Sequence, residues 1–94
     1  MSIHSLSDLR KQFGDIDKSI LILLGIRAKL SKEIAKVKKK KAIDVVQMDT
    51  WKKQMEKRYR ENKKLNLDPE FIHKIFSSIH KESIKIQKKE INKS

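Results

Sequence analysis

Apolar side chains recur over the first part of the chain at alternating steps of four and three: Leu9, Phe13, Ile16, Ile20, Leu23, then Leu30, Ile34 and Val37. That spacing belongs to a helix with one continuous apolar seam. "SLSD" supplies its start, with Ser5 as N-cap and Asp8 three residues on, a variant of the capping box. The helix is predicted from about Leu6 to about Lys41, and Gly14 and Gly25 weaken it slightly without breaking the pattern. "AIDVVQM" is rich in β-branched residues, poor for helix, and reads as a connection. A second helix is predicted from near Asp49, as its N-cap, to about Lys64, with Trp51, Met55, Tyr59 and Leu65 on its apolar side. "NLDPEF" is a strong start signal, with Asp68 as N-cap, Pro69 at the first helical position and Glu70 in the first turn. The third helix runs from there to about Lys89, with Ile72, Ile75, Phe76, Ile79 and Ile86 inward, and the tail "KKEINKS" is expected to fray.

The pattern therefore predicts an all-α fold of three helices in a single domain over residues 1–94, with a very long first helix and no internal repeat. A helix of about 36 residues is about 54 Å long. A compact globule of this size has a radius of gyration of about 13 Å and is only about 34 Å across. The first helix would project from a monomer with its seam bare, so an intertwined homodimer is expected. Composition agrees with helices: 38% of residues are charged, and there are two Gly and one Pro. No cysteine is present, which excludes disulfides and thiolate metal sites. No apolar run approaches the roughly 20 residues that span a bilayer, and "MSIHSLSDLR" has no signal-like apolar core, so a cytoplasmic location is expected.

The net charge of +12 invites a nucleic-acid reading, with "KVKKKK" as its footprint. Lysines are spread through every segment, however, and that run also suits a helix C-terminus complementing its dipole. Groove-reading motifs are missing and aromatics for stacking are few. Arginine is the scarce cation, found only at Arg10, Arg27, Arg58 and Arg60, and is expected where planar, bidentate geometry matters.

Position 27 completes the four-and-three series of the first helix, so Arg27 sits in the seam. An unpaired buried guanidinium costs several kcal/mol, and no acid stands three or four residues from Arg27, Arg10 or Lys38. Lys38 is eleven residues beyond Arg27, within about 20° of a whole number of turns, so both heads can lean into one volume. Arg10 is seventeen residues before Arg27, about 25 Å away, and could reach that volume only from the other chain of an antiparallel dimer. Ser83 and Gln87 place polar groups one turn apart on the inward line of the third helix; Gln87 taken alone also fits a fraying end that faces water. Two arginines, a lysine and a few polar groups facing apolar walls describe a receptor for a small dianion, since guanidinium forks match carboxylates. No nucleophile has an evident base beside it. His4, His73 and His80 read as surface histidines, and neither a metal nor a cofactor is expected. Such a site suits a reaction that needs only folding and polarisation of its substrate.

The stretches "LRKQFGDIDKSILILLGIRAKLSKEIAKVK" and "LDPEFIHKIFSSIHKESIKIQ" resemble the all-helical (type II) chorismate mutases, and the likeness covers nearly the whole chain. The resemblance implies an interlocked dimer of three-helix chains, with each site built from both subunits. It also implies conversion of chorismate to prephenate on the way to phenylalanine and tyrosine. By position, Arg27 and Arg10 of the other subunit resemble the carboxylate binders. Lys38 resembles the lysine on the breaking ether oxygen and a carboxylate, Gln87 the residue that hydrogen-bonds the same oxygen, and Ser83 a carboxylate contact. Gln47 stands where the pocket is lined near the substrate hydroxyl. Two positions depart from the pattern. Thr50 stands where the family commonly has arginine. Trp51 stands where a glutamate accepts the hydroxyl's hydrogen bond, which an indole N–H cannot do. These departures lower the expected catalytic efficiency. They also leave room for isochorismate pyruvate lyase, which is similar in fold and cationic pocket, or for a weakened regulatory relative.

Overall fold

The computed structural model describes residues 5–93 as three helices: α1 (Leu6–Lys41), α2 (Met48–Leu65) and α3 (Pro69–Ile91). His4 lies outside the described residues. The all-α, three-helix reading agrees with this architecture. Ser5 caps α1 as its sequence predicts, its Oγ accepting from the Asp8 N–H at 3.1 Å. Asp68 likewise caps α3 by accepting from the Glu70 N–H, with Pro69 in the first turn. The start of α2 differs from expectation. Its N-cap is Gln47, in extended backbone and without a side-chain cap bond, and Asp49 stands inside the first turn, where the helix dipole favours a carboxylate. The third helix also continues to Ile91 instead of fraying at Lys88, because Glu90 and Ile91 are half-buried and Asn92 closes the end through its backbone N–H.

Two non-glycine residues adopt the left-handed conformation, and each ends a helix. Ala42, at φ 55°, closes α1 with bonds from its N–H to Lys38 and Lys39 and from the Ile43 N–H to the Lys38 carbonyl at 2.8 Å. This turn sends the connection back past the end of α1. Asn66, at φ 56°, does the same for α2. There the buried Asn62 side chain clamps the turn, accepting from the Leu67 N–H at 3.1 Å and donating to the Leu67 carbonyl at 2.7 Å. Asn62 takes the inward place near the end of α2 that the pattern assigned to Leu65, which is 67% exposed. Ile75, also expected inward, is exposed on α3.

The third helix packs against both of the others, while α1 and α2 do not pack on each other. They diverge and leave a cleft floored by α3. The chain is long and thin, 58 × 28 × 16 Å, with a radius of gyration of 17.3 Å. That exceeds the roughly 12–13 Å of a compact domain of this length. Among the described residues only Ala35, Met55 and Ile72 are buried apolar side chains, and none of the large ones is completely enclosed. The seam of α1 is bare from end to end: Leu9, Phe13, Ile16, Ile20, Leu23, Leu30, Ile34 and Val37 are all exposed.

Replacing Asn62 by Ala removes both bonds to Leu67 and strands its backbone groups, so denaturant unfolding should show a loss of about 2 kcal/mol. Ala42→Gly relieves the left-handed strain and should stabilise by roughly 0.5–1 kcal/mol in the same experiment.

Candidate active site

The cleft between α1 and α2 holds a cavity of about 320 Å³, within the usual range for a small-molecule site. Arg27, Leu30, Ser31, Ile34 and Lys38 line it from α1, and Phe76, His80, Ser83 and Gln87 from the α3 floor. Val45 and Gln47 come from the connection, and Thr50, Trp51, Gln54 and Arg58 from α2. Seven of the residues singled out in the sequence therefore meet in one place: Arg27, Lys38, Gln47, Thr50, Trp51, Ser83 and Gln87. Arg10 does not join them; it is exposed near the far end of α1. Arg27 is exposed in the single chain, on the cavity rim, and not buried as its place in the seam suggested.

A hydrogen-bonded chain crosses the cavity floor. Lys38 Nζ donates to the Val45 carbonyl and to Gln87 Oε1, both at 2.8 Å. Gln87 Nε2 donates to Ser83 Oγ at 3.0 Å, and Ser83 Oγ shares a hydrogen bond with Ser31 Oγ at 2.7 Å. Gln87 is only 6% exposed, so the alternative of a water-facing helix end does not hold. Burial lowers the Lys38 pKa from its ordinary value. An ammonium has three N–H donors and an amide nitrogen two. Lys38 and Gln87 are therefore fixed in direction by these bonds, and each keeps one donor unspent.

The second cluster is aromatic and cationic. Trp51 stacks on His80, with ring centroids 4.3 Å apart and planes inclined at 26°. The Arg58 guanidinium lies 4.2 Å from the Phe76 ring centroid and 5.8 Å from that of Trp51. Its polar contact is a weak one, from Nη1 to Met55 Sδ at 3.3 Å. Desolvation lowers the Arg58 pKa first, the charge of Arg27 second, and Glu61 opposes both. His80 is half-buried, not a surface histidine. Burial lowers its pKa below 6.5, aided by the charges of Arg58, Lys38 and Arg27. His73 is exposed as expected.

Sequence reasoning missed Ser31, Arg58 and His80. A signal for Arg58 was present, because it stands seven residues after Trp51, about 20° short of two full turns and so on the same face of α2. Ser31 carried a weaker one, being four residues after Arg27 on α1. His80 offered none, since its burial depends on how α2 crosses α3.

The cavity thus has three cations, Arg27, Lys38 and Arg58, and no carboxylate on its described walls. Among the described residues no three His, Asp or Glu side chains gather as a metal site would require. Such a cavity is electrostatically incomplete until an anion of more than one charge enters. It offers directed N–H donors and no paired acid and base.

Comparison with known proteins agrees with this chemistry. Residues 9–88 match the family model described as chorismate mutase type II. The chain is 36% identical over 92 residues to a bifunctional chorismate mutase/prephenate dehydratase of Buchnera aphidicola subsp. Schizaphis graminum (strain Sg). That alignment covers 98% of this chain and 24% of the relative, so the chain spans about a quarter of that protein's length. No solved structure matches the chain. With a cationic cavity that no described carboxylate lines and a family match over most of its length, the chain belongs to the chorismate mutase type II family.

Proposed function

We propose that residues 1–94 act as one unit that isomerises chorismate to prephenate, in a cavity completed by a second copy of the chain. The family and the relative support the activity. The observation that carries the mechanism is the pair Lys38–Gln87, in which Lys38 Nζ donates to Gln87 Oε1 at 2.8 Å on the floor of a cavity rimmed by Arg27. The reaction is intramolecular: one ether C–O bond breaks while one C–C bond forms, and no proton is transferred. The chain has to hold the enolpyruvyl side chain folded over the ring, using the two carboxylates as handles. Arg27 serves as one handle. As the ether bond lengthens, negative charge gathers on its oxygen, and the unspent donors of Lys38 and Gln87 meet it. That contact is stronger in the transition state than in the ground state, which is what accelerates the step.

The second copy is inferred from three features. The bare seam of α1 is far more apolar surface than a stable single chain leaves uncovered. The core of the single chain is too small to offset the entropy of ordering it. Arg10 also finds its use only if another chain's α1 runs antiparallel past Arg27. The substrate class is a small dicarboxylate. A cytoplasmic enzyme is the reading that fits a biosynthetic family, and among the described residues no helix is long and apolar enough to cross a membrane.

Purified protein incubated with chorismate should yield prephenate. Release of pyruvate from isochorismate, with no prephenate from chorismate, would assign it to the lyase reaction instead. Lys38→Ala should lower kcat about 10²–10³-fold with a smaller change in KM, measured by loss of chorismate absorbance. Arg27→Ala should damage both constants. Light scattering should give twice the 11.1 kDa chain mass, and Arg10→Ala should reduce activity while leaving that mass unchanged. His80 should titrate below 6.5 by NMR, because burial first, and then the charges of Arg58, Lys38 and Arg27, disfavour its imidazolium. A bound dianion should pull that midpoint upward. In the free protein His80 binds fewer protons folded than unfolded. Its contribution to stability is therefore complete above 6.5 and is lost as pH falls through its lowered pKa.

A further inference from the structure

We infer that Arg58 is a carboxylate-binding residue of this cavity, sharing with Arg27 one of the two acidic groups of the substrate. The inference rests on the chorismate mutase reading for the identity of that substrate. It rests on the placement of Arg58 for everything else. The guanidinium is held face-on to Phe76 at 4.2 Å and beside Trp51 at 5.8 Å, on the wall of the cavity. A guanidinium that stacks on aromatic faces keeps its N–H donors available at its edge. Among the described residues no carboxylate lies within ion-pair distance of Arg58, and its hydrogen bond goes to a thioether, a weak acceptor. Most of its five N–H donors are thus unspent, on a residue that lines the cavity.

A second cation, Arg27, acts on the same group from across the cleft, and its field opposes the charge on Arg58. Two guanidinium groups that repel each other in a partly dry cavity raise the energy of the empty state. An anion placed between them removes the repulsion and satisfies both forks. An ordinary surface arginine shows none of this: Arg60, two residues on, is exposed and lines no part of the cavity. Of the other polar α2 side chains at this wall, Thr50 has a short hydroxyl and Gln54 an amide, and neither carries a charge. The charge that α2 brings to the cavity therefore comes from Arg58.

The test compares the wild-type chain with Arg58→Met, which keeps an unbranched apolar stem against Phe76 and Trp51 and removes the charge. KM for chorismate should rise about 10- to 100-fold, with kcat changed less. The melting temperature should hold or rise, because a desolvated, repelled cation has gone. A structural strut would behave in the opposite way, and a fall in melting temperature with KM intact would overturn the inference. If Arg58→Met fails to fold, Arg58→Lys decides the matter. A point charge without the planar fork should raise KM several-fold, and an unchanged KM would overturn it. A second readout separates this inference from the reading beneath it. Trp51 is the sole tryptophan, so its fluorescence reports titration with an inert dicarboxylate such as malonate or succinate. If the wild type leaves chorismate intact but binds these probes in an Arg58-dependent way, the mutase reading fails and the anchor stands. If chorismate is turned over and Arg58→Met keeps KM within twofold, the anchor fails and the mutase reading stands. If the wild type neither turns over chorismate nor binds dicarboxylates, both fall.

Discussion

Lys38 ties the site together. Its ammonium reaches from the end of α1 to the carbonyl of Val45 in the connection and to Gln87 on α3, at 2.8 Å each. Three of the four segments that line the cavity are therefore joined through one charged group. The left-handed turn at Ala42 makes this possible, because it folds the connection back within reach of the lysine that precedes it by one turn. Ser83 and Ser31 continue the chain of bonds, so the α1–α3 contact is held by a satisfied polar network. Among the described residues no buried side-chain nitrogen or oxygen lacks a partner. A floor of this kind keeps its remaining donors aimed without substrate present, and preorganised donors give the largest benefit when charge develops in the reaction.

Charge balance is the second constraint. Three cations share the walls with a histidine whose protonation burial and their charges disfavour, and no described acid lines the cavity beside them. The same imbalance that disfavours the empty cavity favours an anionic occupant, and a dianion answers more of the positive charge than a monoanion does. The aromatic layer of Trp51, Phe76 and His80 contributes by lowering access of water and by orienting Arg58. The proposed rearrangement asks no proton transfer of these side chains. They set the dielectric and the geometry in which the cations work.

The helices were legible because each carries its own punctuation. Ser5 and Asp68 are strong caps, and the four-and-three spacing of α1 admits no other periodicity. The start of α2 was misplaced because Gln47 makes no side-chain cap bond, so the only local signal was the carboxylate of Asp49. Leu65 and Ile75 misled for a different reason. Their inward assignment assumed that apolar means buried, whereas this chain buries very little by itself and uses Asn62 to close the end of α2. Within the site, Arg27 and Lys38 could be paired from helical arithmetic alone, because both lie on one straight element. Arg58 and His80 could not be paired, because their meeting depends on the angle between α2 and α3, which no periodicity encodes. Arg10 stays apart for the physical reason the spacing gives: seventeen residues of rigid helix separate it from Arg27.

A cavity whose cations await a dianion should bind prephenate in proportion to both of its carboxylates. The most direct measurement is the thermal unfolding of the protein against rising concentrations of prephenate and of its monomethyl ester. Binding to the folded state alone stabilises by about 2.7 kcal/mol at a hundred times Kd, so the melting temperature should climb with prephenate concentration and move far less with the ester. Equal shifts with the two compounds, or none with either, would contradict the account.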